Sequence, residues 1–441
     1  MLRLTLKTRS ISTFAALLVG GGVISHHPAT ADAQNTSPQE IPVVEASALK
    51  ATLDGRSQGV AFAGKGDGRG FFAITGFGKS VLSLSPWGAV QSRISLTPGG
   101  YVAKIFSLSP GRALVYTQGE STKYLVVVAE PTAKGEILRV DSGMDLNAAL
   151  QGVEPVSVVT VRGPLVLVTA QNSTDVILLD TQRKAIVARA DLGLRYARMA
   201  YDASSGKVYA FGQDTRPAGA APFTAAAIIQ VSDDGRLAIR KQNLSNSSMG
   251  AATDIMKVFA SERAGRVVGL GLAQMIGYRT GRDVPEFTSP FHLTGVGGTA
   301  GTMSADGRYL FAASSGFSMS CGQPSAGIIE VDLQNPQTPR RCLTGLQPSN
   351  RGSYLFDFYS DPTSGLTFGY FNDVAPGQSL SNFRISLFKN GREPDLTGRA
   401  NEMVSQARSG CAAAELVTSR APSSCAVFSR ATTPAPALSN K

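Results

Sequence analysis

The chain has 441 residues, 43% of them hydrophobic and 17% charged, with 47 glycines, 4 cysteines, 3 histidines and a formal net charge of +10. So little histidine argues against His-rich metal centres and against any mechanism that needs two imidazoles. A basic surface can favour acidic polysaccharide, lipid phosphate or nucleic acid. The sequence has no run of Lys or Arg and no aromatic residues interleaved with basic ones, so solubility explains the surplus more simply and no nucleic-acid partner is expected.

The first segment, residues 1–33, reads as a signal peptide. Arg3, Lys7 and Arg9 precede the apolar run ISTFAALLVGGGVIS, and Ala31-Asp32-Ala33 offers small residues for cleavage before Gln34. Cleavage would remove three basic residues and Asp32, leaving a mature charge of +8. It would also remove His26 and His27, leaving His292, which sits in PFHLTG at the end of an outer strand and reads as structural. No later segment is long and apolar enough to span a membrane, since even PVSVVTVRGPLVLVTA is interrupted by Arg162. The expected destination is periplasmic or secreted.

Residues 34–57 form an N-terminal segment in which IPVVEASALKATL (41–53) is a candidate ring-closing strand. From residue 58 to residue 398 one pattern recurs seven times: a Gly turn, a short apolar strand, then a polar knot. The copies begin at Gly68 (GRGFFAIT), Gly111 (GRALVYTQ), Gly163 (GPLVLVTAQ), Gly206 (GKVYAFGQ), Gly265 (GRVVGLGLAQ), Gly307 (GRYLFAAS) and Gly365 (GLTFGYFN). Turn clusters such as DASSG, SADG and DPTSG stand before several of these glycines, which is hairpin chemistry. A third strand usually follows the knot (KYLVVVAE, DVILLDT, AAIIQV, GIIEVDL, FRISLFK), and LTG or LTPG closes several units. Four strands per unit, seven units and no helical segment between them predict an all-β fold, a seven-bladed β-propeller with four-stranded blades. DLTG at 395–398 implies that the last blade already owns an outer strand, which leaves the closure of the ring open.

Residues 399–441 read as a short disulfide-containing C-terminal tail, partly disordered in its Pro/Ser/Thr-rich end. Cys321, Cys342, Cys411 and Cys425 are an even set for an oxidising compartment, with three connectivities open. Pairing Cys411 with Cys425 would close a short loop worth about 3 kcal/mol. Cys321 with Cys342 would staple one unit to itself. Their spacing is not that of a metal site.

GPLVLVTAQNSTDVILLDTQRKAIVARADLG resembles the YVTN-type repeat of exported bacterial propellers, a superfamily that includes lactonases. In that repeat a strand of the Gly-x-x-x-Tyr-Val-Thr-Asn kind precedes an Asn-rich turn and a Val-rich strand ending in Asp-Thr. GRALVYTQG and GKVYAFGQD are looser versions. The resemblance implies the scaffold. Its members are lactonases, quinoprotein dehydrogenase subunits, surface-layer proteins and binding modules, and fold does not choose among them.

Catalytic signatures are absent from the sequence: no Gly-x-Ser-x-Gly, no His-Glu-x-x-His and no Cys-x-x-Cys-His. ITGFGKS has Ala73 where a phosphate loop needs Gly and reads as a turn between strands; GVGGTAGT (295–302) reads as a link between blades. The lone Trp87 argues against tryptophan-docking propellers. The positive signal is the set of polar knots, expected in loops on one face. The ligand-binding candidates are Gln118, Gln171, Asn172, Gln213, Asp214, Gln274, Asn372 and Asp373, with Thr75, Glu120 and Ser314 beside them. Amides donate and accept hydrogen bonds without changing charge, so they suit a protein partner or a neutral polar ligand better than proton transfer. The expected function is a binding or protein-interaction module. One alternative is a lactone or ester hydrolase in which Asn172, Asp214 and Asp373 hold a calcium ion (Ca2+). The other is the non-catalytic large subunit of a periplasmic oxidoreductase.

Overall fold

The structure, a computed structural model, describes residues 60–75, 78–86, 88–96, 100–119, 123–133, 135–214, 224–243, 255–271, 274–283, 285–290, 301–314, 327–336, 341–343, 354–374 and 381–389. The expected signal peptide, ring-closing strand, DLTG terminator and C-terminal tail lie outside these residues, as do Cys321, Cys411, Cys425, His292 and Trp87; Cys342 falls in a strand. No helix among the described residues is long and apolar enough to cross a membrane.

The described strands form seven antiparallel sheets, each a meander in chain order. The first sheet comprises β1 (Val60–Gly64), β2 (Phe71–Thr75), β3 (Ser80–Leu84) and β4 (Val90–Ser95). The second comprises β5 (Gly100–Ser109), β6 (Arg112–Gly119), β7 (Lys123–Thr132) and β8 (Gly135–Val140). The third comprises β9 (Pro155–Arg162), β10 (Leu165–Ala170), β11 (Asp175–Asp180) and β12 (Ala185–Asp191). The fourth comprises β13 (Leu194–Asp202), β14 (Lys207–Asp214), β15 (Thr224–Val231) and β16 (Leu237–Asn243). The fifth comprises β17 (Ile255–Ser261), β18 (Arg266–Gly271), β19 (Gln274–Arg279) and β20 (Pro285–Pro290). The sixth comprises β21 (Gly301–Met303), β22 (Tyr309–Ser314), β23 (Gly327–Asp332) and β24 (Arg341–Leu343). The seventh has β25 (Tyr354–Ser360), β26 (Leu366–Val374) and β27 (Ser381–Lys389) among the described residues. Gly301 and Thr302 thus open a strand, where the sequence reads a link; a three-residue strand leaves too little alternation to be seen.

The first strands form a closed circuit. β1 lies against β5, β5 against β9, β9 against β13, β13 against β17, β17 against β21, β21 against β25, and β25 against β1. This propeller-like circuit explains the burial pattern. The second strand of each sheet sits between two neighbouring sheets, so LVLVTA of β10 and RVVGLG of β18 are buried at five consecutive positions. Fourth strands stand at the outside and alternate, as in VQSRIS of β4 and GEILRV of β8. Between sheets three and four the core joins Leu167, Val176 and Leu178 to Leu194, Met199, Val208 and Ile229. Each such side chain contributes about 1.5–3 kcal/mol on full burial.

All seven repeat glycines lie in the turn before the second strand, with φ between 48° and 75°. A side chain in this left-handed region is strained, which is why the pattern holds Gly there. Aspartates cap the turns at this end: the Asp202 carboxylate accepts from Ser204 N (3.2 Å), and that of Asp361 from Thr363 N and Ser364 N (2.9 Å each). At the same end Lys65, fully buried, donates to Glu136 (2.7 Å) across the first two sheets, to Gln91 (3.0 Å) and to the Arg69 carbonyl (3.1 Å). Burial lowers the Lys65 pKa, against the opposing pull of Glu136.

The last sheet meets the first through neutral groups. Phe71 stacks on Tyr359 (4.6 Å between centroids) and Phe368 (4.7 Å). Thr363 Oγ1 donates to the Gly68 carbonyl (3.0 Å) and Ser364 Oγ to the Pro86 carbonyl (2.5 Å).

Candidate binding rim

Every sequence-predicted site residue falls at one end of the sheets, opposite the glycine turns. Only Gln171 and Asn172 occupy a turn; the other six lie in strands rather than loops. Gln118 pairs with Tyr101, Gln213 with Arg195, Asp214 with Leu194, Gln274 with Pro290, Asn372 with Tyr354 and Asp373 with Asn382. The ladder runs on because the neighbouring strand still offers backbone partners; a polar side chain does not end it. Thr75 and Ser314 close β2 and β22, and Glu120 lies outside the described residues. The side chains of Gln274, Asn372 and Asp373 also lie outside them.

The rim gains a second feature from the innermost strands. In five sheets the first strand carries a β-bulge within its opening residues. The register slips at Ala103, Val156, Tyr196–Ala197, Met256 and Phe356. Bulges bend a strand and re-aim its side chains, and they gather at rims and sites. The residue that resumes the register clasps the next sheet in three consecutive cases. Lys104 Nζ donates to the Pro155 carbonyl (2.8 Å) and to Glu154 (3.1 Å). Ser157 Oγ accepts from Met199 N (3.1 Å), and Arg198 Nε donates to the Ile255 carbonyl (3.1 Å).

At the bulge of sheet four, Tyr196 has φ 53° and is 46% exposed, beside the exposed Arg195. For a bulky L-residue this conformation costs on the order of 1–3 kcal/mol. Gly212 makes the bulge fit: a Cβ there would lie 2.7 Å from the Arg195 carbonyl and 3.1 Å from Ala197 Cα. The sequence reading missed Arg195, Tyr196 and Arg198. Their signal is two arginines inside LRYARMAYD, the innermost strand β13, at a spacing that breaks its two-residue period.

The seam between sheets two and three holds a second polar group. Tyr101 donates to Gln118 Oε1 (2.9 Å), whose Nε2 donates to the Tyr116 hydroxyl (3.3 Å). Two tyrosines thus fix this predicted amide. Tyr124, stacked 5.2 Å from Tyr116, buries a hydroxyl with no hydrogen-bond partner, and burial raises its pKa. Among the described residues no three His, Cys, Asp or Glu side chains gather into a metal-binding group. Asn172, Asp214 and Asp373 belong to sheets three, four and seven; intervening sheets separate the last from the other two in both directions around the circuit.

No protein-family model and no curated protein matches the chain. Among solved structures it is similar to the extracellular domain of a hybrid two component system from B. thetaiotaomicron, with a TM-score of 0.48 and 12% identity over 77% of this chain and 39% of that one. It is also similar to Kuenenia stuttgartiensis hydrazine synthase, with a TM-score of 0.46 and 12% identity over 75% of this chain and 95% of the other. The chain therefore spans well under half the length of the first of these relatives.

Proposed function

We propose that this chain is an exported seven-bladed β-propeller of the YVTN-repeat kind that acts as a binding or protein-interaction module through its rim. The observation that carries the reading is the coincidence of two features at one end of the sheets. Three second strands (β6, β14 and β26) carry Gln, Asn or Asp at or beside their last residue, Gln171 and Asn172 follow a fourth, and five innermost strands bulge at the same end. A rigid ring that brings polar groups from separate sheets to one edge offers a preorganised surface, which lowers the ordering cost of binding.

The test is a saccharide and peptide array probed with the labelled full chain. The Asp214→Ala/Asp373→Ala double variant is expected to lose at least tenfold in binding, at an unchanged melting temperature. Gln182→Ala/Arg183→Ala, in a turn at the opposite end, should bind like the wild type. The reverse pattern would overturn the rim assignment, as would calcium-dependent cleavage of a lactone or ester in place of binding.

A further inference from the structure

Resting on the rim reading, we propose that the sheet-four bulge is a site for an acidic saccharide, with Arg195 and Arg198 holding its carboxylate and Tyr196 stacking on its ring. Residues three apart in a regular strand point to opposite faces. Here Arg195 pairs with Gln213 and Arg198 with Phe211, two partners that share a face, so the bulge turns both guanidinium groups to one side, with the Gln213 amide. That side faces sheet five, as the Arg198 bond to the Ile255 carbonyl shows. The neighbouring carboxylate is turned away: Asp214 pairs with Leu194, which is buried against sheet three.

Guanidinium groups match the planar carboxylate in a way ammonium groups do not. An exposed tyrosine at the same bulge adds a flat apolar face, and the amide can meet hydroxyl groups. The neutral ligand expected from the amides alone therefore gives way, at this sheet, to an anionic one. A single-stranded nucleic acid needs a succession of stacking platforms. Among the residues whose side chains are described, Tyr196 is the one exposed large aromatic, which favours a single sugar ring. Holding a tyrosine in the left-handed region costs stability that a glycine would not, and functional sites are where such strain is retained.

Calorimetric titration of the full chain with tetragalacturonate, its methyl ester and tetraglutamate tests the proposal. The free acid should bind at least tenfold more tightly than either control. Arg195→Gln should weaken it at least tenfold, and Tyr196→Gly should weaken it similarly while raising the melting temperature. Equal binding of the methyl ester or of tetraglutamate overturns the saccharide-acid assignment, as does unchanged affinity in both variants. If tetragalacturonate fails to bind but Tyr196→Gly still abolishes the array binding that Asp214→Ala/Asp373→Ala lowers, the ligand class fails and the rim survives. If no rim variant alters array binding, both readings fall.

Discussion

At one end of the sheets, aspartates accept from turn amides, seven glycines take positive φ, and Lys65 and Glu136 neutralise each other in the interior. At the other end, innermost strands bulge, a tyrosine adopts a left-handed backbone, and two arginines share the face of one sheet. The first end caps its turns and holds neighbouring sheets together. The second presents bulged innermost strands, with Arg195 and Tyr196 exposed at one of them. The contrast sets an end built on capped turns and a buried ion pair against the bulged end at which we propose binding, and each can be broken separately.

The largest effect is expected at Lys65. Lys65→Met leaves the Glu136 carboxylate, only 6% exposed, without its closest cation and with only Arg69 (3.6 Å) and the Ser83 hydroxyl beside it, and removal of one member of a buried pair costs about 3–5 kcal/mol. Urea denaturation should show this loss. Adding Glu136→Leu should restore most of it, because two apolar groups remove the uncompensated charge. A loss under about 1 kcal/mol, the range of an exposed pair, would mean that water reaches the seam and the two ends differ less than described.

Gly212→Ala carries the test to the rim. Its φ is ordinary, so the conflict is steric, a Cβ pressed against the Arg195 carbonyl. Overpacking of this kind costs about 1–3 kcal/mol, and it should also abolish tetragalacturonate binding by shifting the bulge. A stable variant with intact binding would separate the bulge from the site.

The smallest effect is one of pH. Burial raises the Asp361 pKa, and the amides of Thr363 and Ser364 only partly offset it. The native state therefore keeps a proton that the unfolded chain has released. The contribution of this one group to stability is greatest at acid pH and is lost as pH rises from the ordinary carboxylate range through the raised value, by about 1.4 kcal/mol for each tenfold by which folding tightens the carboxyl's hold on its proton. Asp361→Asn should flatten that slope in melts recorded from acid to neutral pH. An unchanged slope would place its origin outside the glycine-turn end.

Seven glycines with a common left-handed turn, followed by apolar strands, are local patterns, because backbone sterics and two-residue alternation act within a few residues. The second and third strands are therefore legible in LVLVTA and DVILLD before any neighbour is known. Amides such as Gln118 and Gln213 are legible as polar strand ends, but their place in the ladder depends on partners a dozen or more residues away. The bulges left one trace, the three-residue spacing of Arg195 and Arg198 in β13. Whether Arg195 and Arg198 face one side depends on which residues of β14 they pair with, and whether Lys65 is buried depends on Glu136 arriving from the next sheet. Local sterics and periodicity thus determined the repeat from sequence alone. Register and the packing of one sheet on the next, which bring distant residues together, were decided only in the tertiary structure.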